Sequence, residues 1–121
     1  MADEAIERLR EICLALPEAH EQLAWEDHIT WRIRKKIFAM PTESEGRPAF
    51  ECKAPSGAQA FLVDAEPERF FVPRYVGQHG WVGMYVDQNV NWDDVREFIT
   101  ESFLMTAPKR VAAQLEATED G

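Results

Sequence analysis

The stretch Ile29-Thr30-Trp31-Arg32-Ile33-Arg34-Lys35-Lys36-Ile37-Phe38-Ala39-Met40 decides how the chain is read. Ile29, Trp31 and Ile33 alternate with Thr30 and Arg32, the two-residue period of a strand with one buried face. A hairpin turning at Arg34-Lys35 sets Trp31 against Phe38 and Ile29 against Met40 on an apolar side, and Arg32 beside Ile37 on the other. Two-residue turns favour Asn and Gly because they need positive φ, so Arg34-Lys35 predicts a strained turn or a longer one.

On the N-terminal side, Ile6, Leu9, Ile12, Cys13 and Leu16 recur at three- and four-residue steps. They predict a helix from Asp3 to Leu16, stopped by Pro17, with Glu4–Arg8 and Glu7–Arg10 pairs on its outer face. On the C-terminal side, Pro41 to Pro48, with Ser44, Glu45 and Gly46, reads as a loop before a strand at Ala49 to Lys53. Pro55-Ser56-Gly57 opens a short helix through Ala60-Phe61-Leu62-Val63 that ends near Pro67. Gly77-Gln78-His79-Gly80 is a turn into a strand, Trp81 to Val86. Asn91 reads as an N-cap, with Asp93 and Asp94 in the first turn and Val95, Phe98, Ile99 and Ser102 as the inner stripe. Pro108 starts a last helix with Val111 and Leu115 facing inward. The expected fold class is α+β, an antiparallel sheet covered by the N- and C-terminal helices. One domain spans 1–121, with an acidic tail over 113–121 expected to fray. The uncovered sheet face, or the hairpin tips, is left for function.

With 121 residues, 45% of them hydrophobic and 29% charged, the chain suits one globular domain rather than a disordered segment. It starts without a basic or apolar leader pattern, and no apolar run approaches the roughly 18–20 residues of a membrane span. The expected location is therefore cytoplasmic, with no membrane partner. In a reducing cytoplasm Cys13, on a helix, and Cys52, on a strand, read as buried free thiols. A net charge of −9 opposes generic affinity for nucleic acid. The acidity is uneven, however: it gathers in the terminal segments, while the central hairpin is basic.

Four segments together resemble the MmcQ/YjbR family. They are Leu14-Ala15-Leu16-Pro17; Lys36-Ile37-Phe38-Ala39; Phe71-Val72-Pro73-Arg74-Tyr75-Val76-Gly77 running into Gly80-Trp81-Val82; and Trp92-Asp93-Asp94-Val95 through Ala107-Pro108-Lys109. Lys53 before Ala54-Pro55 also matches, and the resemblance covers roughly residues 5 to 115. It implies a CyaY-like, double-wing α+β arrangement and a DNA-binding label that rests on fold analogy. It brings no catalytic motif.

Two functional sets follow. Arg32, Arg34, Lys35 and Lys36 lie close together without an intervening acid, and with Lys53 and Arg74 they form a candidate DNA-binding set whose affinity would be weak and salt-sensitive. The plainer account of the same charges is a solvated hairpin tip that guards a sheet edge. Tyr75, His79 and Trp81 are the candidate rim of a pocket for a small ligand or a protein partner. Gly77 to Gly80 spells GxxG, but its flanks and its Gln78-His79 middle suit a tight turn better than a nucleotide clamp. His20, His28 and His79 lack metal-ligand spacing, and the first-helix acids Glu4, Glu7 and Glu11 are interrupted by Arg8 and Arg10, so neither a metal nor a cofactor is expected. Ser102 and Cys52 read as core residues and not as nucleophiles, so an enzyme is not expected.

Overall fold

A computed structural model describes residues 2–87 and 89–120. In chain order the elements are α1 (Ala2–Leu14), β1 (Ala19–Ala24), β2 (His28–Ile33), β3 (Lys36–Ser44), β4 (Arg47–Cys52), α2 (Ala58–Ala65), β5 (Phe70–Phe71), a 3-10 turn (Val76–His79), β6 (Val82–Tyr85), α3 (Trp92–Thr106) and α4 (Lys109–Asp120). All strands join one antiparallel sheet in the order β1-β2-β3-β4-β6-β5. The expected α+β class therefore holds. Of the acidic tail, Gly121 and the side chains of residues 116–120 lie outside the described residues.

Both α1 and α3 pack on one face of the sheet. Leu9, Ile12, Cys13 and Leu16 from the N-terminal segment meet Val95, Ile99 and Phe103 of α3 and Val111 of α4 over Trp31, Ile33, Phe38, Phe50, Val82 and Met84. Phe38 stands edge-on to Phe103, with ring centres 5.4 Å apart. Burying such side chains contributes about 1.5–3 kcal/mol each, which makes this one-sided layer the main source of stability. Both cysteines are buried and free, as expected. Glu7 pairs with Arg10 as expected, but Arg8 stacks on Trp92 at 4.7 Å. The N-cap of α3 is also as expected: the Asn91 side chain accepts from the Asp93 N–H at 2.9 Å.

Three local readings are corrected. The segment after Pro17, read without a strand, forms β1, because its pairing with β2 holds it despite a polar sequence. Its inward acid, Glu21, is secured by Arg10 Nε at 2.7 Å and by the Trp31 indole N–H at 2.9 Å, which together hold its carboxyl below the usual range. The supposed loop from Pro41 to Pro48 is instead a hairpin. Ser44 pairs with Arg47 across a two-residue turn in which Glu45 and Gly46 both take positive φ (56° and 73°), the handedness such turns require. Finally, Trp31 faces Ala39 and not Phe38. Arg32 still faces Ile37, so β3 carries one extra residue, Phe38, in a bulge. The tight turn at Arg34-Lys35 does form, with Arg34 at φ 58°.

The bulge turns both Phe38 and Ala39 into the core. It also releases the Phe38 carbonyl from its ladder, and Ser102 of α3 takes it up: the hydroxyl donates to Phe38 O at 2.5 Å and accepts from the Lys53 N–H at 2.9 Å. One side chain thus joins a helix to two strands. Replacing it leaves a buried carbonyl without a donor, a loss of about 1–3 kcal/mol. Ser102→Ala is therefore expected to lower the urea midpoint by a corresponding amount with an unchanged m-value, whereas Ser102→Thr should recover part of the loss.

Candidate functional site: a cleft on the uncovered sheet face

The sheet face opposite the helices carries His28 and Arg32 of β2, Met40, Thr42 and Ser44 of β3, Glu51 of β4, Tyr85 of β6 and Phe71 of β5, as the strand registers dictate. Most of this face is roofed by no helix. The chain after β5 turns back over it, and with the Trp25 turn between β1 and β2 it encloses a cleft of about 1010 Å³. Met40, Thr42, Glu51, Phe71 and Tyr85 line it from the sheet, and Val72, Arg74, Tyr75 and Trp25 from the loops. Trp25, Val72 and Tyr75 are among the large apolar side chains most open to solvent, at 67%, 55% and 83%. Their gathering at one concave place, and not their exposure alone, makes this a binding candidate.

Glu51 forms the floor. Its row across the sheet reads Met40, Glu51, Gly83, Phe71. Gly83 has no side chain because none would fit: a Cβ there would fall inside the Phe71 ring. The Phe71 ring therefore lies flat on the sheet, leaving Glu51 only 9% exposed. Among the described residues it enters no ion pair, and Thr42 is its polar neighbour on the same face. Burial without a cation pushes its carboxyl up from 4.5 to about 7, outweighing the Thr42 hydrogen bond that pulls the other way.

The walls are braced from outside. Arg47 forms a two-pronged pair with Asp87, at 2.5 and 3.1 Å, and its guanidinium lies 3.6 Å from the centre of the Tyr85 ring. The Tyr85 hydroxyl meets Ser44 at 3.2 Å and its ring leans on Phe71 at 4.9 Å. At the mouth, Tyr75 adopts φ 64°, ψ −68°, and the Val76 N–H bonds Arg74 O at 2.7 Å. That is the three-residue γ-turn, a conformation costing a non-glycine residue roughly 1–3 kcal/mol. It projects a solvent-exposed ring beside the cleft.

The residues singled out from sequence fall in separate places. Arg34, Lys35, Lys36 and Lys53 gather at the end of the sheet away from the cleft, where burial, aided by the Lys36 charge, holds Lys53 below the usual lysine range. Arg34 is paired with Glu18 at 3.2 Å. Arg32 is tied down by Thr30 Oγ1 at 3.0 Å and the Lys35 carbonyl at 3.4 Å. Arg74 is apart from this group and lines the cleft. Of the expected pocket, Tyr75 lines the cleft, but His79 and Trp81 do not. Trp81 is 8% exposed, in a segment held by the Gln59 side chain, which donates to Gly77 O and Trp81 O; His79 is exposed on the 3-10 turn. Glu51 was missed from sequence, although a signal exists: it is a lone acid between Phe50 and Cys52, in a strand that is apolar from Pro48 to Phe50.

The comparisons agree with this fold. A family model described as YjbR matches residues 14–105. A solved structure, that of the Deinococcus radiodurans protein DR2400 with its DUF419 domain, is similar at a TM-score of 0.72 and 18% identity, covering 83% of this chain and 76% of that one. No curated protein matches the chain.

The raised Glu51 carboxyl makes stability depend on pH. Between about 4.5 and 7 the folded protein keeps a proton that the unfolded chain has lost, so stability falls as pH rises through that window and levels off above it. The whole fall is at most about 3 kcal/mol. Glu51→Gln is expected to abolish this slope and to be more stable than the parent at pH 8, while differing little at pH 4.5, by urea denaturation at each pH.

Proposed function

The chain belongs to the YjbR family, and we propose that it is a small-ligand-binding domain whose site is the cleft on the uncovered sheet face. The observation that carries this reading is a cleft of about 1010 Å³ that combines aromatic walls with one buried carboxyl at its floor. Its size is that of cavities that enclose small molecules, and its lining sets aromatic and apolar side chains beside polar groups that could orient a ligand. A braced wall of Tyr85, Phe71 and Arg47 supplies the pre-organisation that keeps the ordering cost of binding small.

Binding without catalysis is the reading for the nucleophiles too. The Ser102 hydroxyl is engaged on both sides, and burial pushes the Cys13 and Cys52 thiols up, away from the reactive thiolate.

A second reading, DNA binding through Arg32, Arg34, Lys35, Lys36 and Lys53, is favoured by one observation: Lys36 and Lys53 are close enough to depress the latter's proton affinity. Against it stand the Arg34–Glu18 pair and the net charge of −9, which repels a polyanion at every range beyond the patch itself.

The two readings separate in a titration followed by amide NMR. An aromatic fragment set is expected to shift Met40, Thr42, Glu51 and Tyr85, with dissociation constants of roughly 0.1–1 mM, and Thr42→Trp should remove those shifts. Duplex DNA at low salt is expected to leave them untouched. If fragments shift nothing in the cleft while DNA shifts Lys35, Lys36 and Lys53, with loss of binding on Lys35→Glu/Lys36→Glu, the cleft reading is wrong.

A further inference from the structure

A ligand held by aromatic walls alone would not need the group that lies beneath it. Glu51 shares its row with Met40, Gly83 and Phe71, where any apolar side chain of similar size would pack without giving up hydration. The chain instead keeps a carboxyl there, and among the described residues no cation pairs with it. The arginines that form ion pairs, Arg10, Arg34, Arg47, Arg69 and Arg96, all do so with other acids.

The surroundings specify the missing charge. Trp25, Phe71, Tyr75 and Tyr85 line the cleft with aromatic rings, whose faces attract positive charge through their quadrupoles. Glu45 adds a carboxylate at the rim, against one guanidinium, Arg74. The Tyr85 ring already carries one cation, the Arg47 guanidinium 3.6 Å from its centre, so the exposed Trp25 and Tyr75 rings are the ones left open to another. The strained γ-turn keeps the Tyr75 ring at the mouth although packing does not require it there.

We propose that the cleft takes organic cations: an ammonium seats against the Glu51 carboxylate while its apolar body lies among Phe71, Tyr75 and Tyr85. This rests on the small-ligand reading of the same cleft and names the chemical class of that ligand. Linkage to protons follows. In the empty protein the Glu51 carboxyl titrates near pH 7, and only its ionised form pairs with a cation. Binding therefore expels a proton, and affinity falls on acidification. The other titratable groups facing the cleft are His28, Glu45, Tyr75 and Tyr85, with Arg74 as a fixed charge, while Glu43 borders it from the covered side of β3. His28 is the one imidazole among them, so its variant is the control for a pH effect that does not pass through Glu51.

Benzyltrimethylammonium, whose charge does not titrate, is the probe, with benzyl alcohol and phenylacetate as its neutral and anionic counterparts. Calorimetry is expected to show the cation binding at least tenfold more tightly than either counterpart at pH 8. Affinity should be about tenfold lower at pH 6 than at pH 8, with proton release read from two buffers of different ionisation heat. Glu51→Gln should weaken the cation to the level of benzyl alcohol and flatten the pH profile, while His28→Asn leaves the profile in place. Equal binding of the alcohol and the cation would overturn the cation proposal and leave the cleft reading standing. So would tighter phenylacetate binding, or a pH profile that survives Glu51→Gln and disappears with His28→Asn. If none of the three probes binds and the aromatic fragments also leave the cleft unshifted, both readings fall together.

Discussion

The extra residue in β3 is the constraint on which the rest of the sheet depends. Side chains alternate along a strand, so inserting Phe38 between the Arg32–Ile37 and Trp31–Ala39 pairs changes the phase of everything beyond it. With the bulge, Phe38 and Ala39 both enter the core, and Met40, Thr42 and Ser44 emerge on the uncovered face. Without it those residues would point under α1 and α3, and the apolar core residues would face solvent. A bulge is stable only if its freed carbonyl finds a donor, and Ser102 provides one from the helix layer. Sheet phase and helix position are thereby fixed by the same hydroxyl.

A sheet covered on one face has to dispose of the other. Here β1 leaves its outer residues polar, while the β3, β4, β5 and β6 portion sets Met40, Phe71 and Tyr85 among Thr42, Ser44 and Glu51 and is partly roofed by the chain after Phe71. A complete roof would have made a second core. The short connection instead crosses at a distance, held by a 3-10 turn and a γ-turn, and the space between it and the sheet becomes the cleft. Gly83 sets the depth, because its missing side chain lets the Phe71 ring lie against the backbone. The family match and the similar solved structure speak to this framework and to nothing bound in it.

Periodicity carried the helices well: the α1 stripe and the Asn91 cap were both legible, because a helix declares itself within a few residues. The central hairpin was legible in its turn but not in its register, since a bulge adds one residue without a characteristic spelling. β1 was not legible at all. Ala19-His20-Glu21-Gln22 has little strand character, and it is a strand only because β2 is beside it and because Arg10 and Trp31 satisfy Glu21. The candidate site suffered most. Sequence proximity grouped four cations at the hairpin, whereas the cleft draws on β2, β3, β4, β5, β6 and two loops, so its members are scattered along the chain. Tyr75 and Arg74 were found from sequence, but His79 and Trp81 were attached to them by nearness in the chain and are turned elsewhere.

What unites stability and site is the position of Glu51. A carboxyl buried beside Phe71 lacks hydration and has only a threonine hydroxyl in return. The protein can relieve this by keeping the proton, at no loss below neutrality, or by admitting a positive charge from outside. Those two solutions exclude each other at a single carboxyl, so proton and cation compete for one place. By linkage, whatever binds the ionised form stabilises the fold most where the fold is weakest, above pH 7. The acidic balance of the whole chain supports that arrangement. A net charge of −9 adds a long-range attraction for the proposed cationic ligand, and the aromatic wall would favour one with an apolar body.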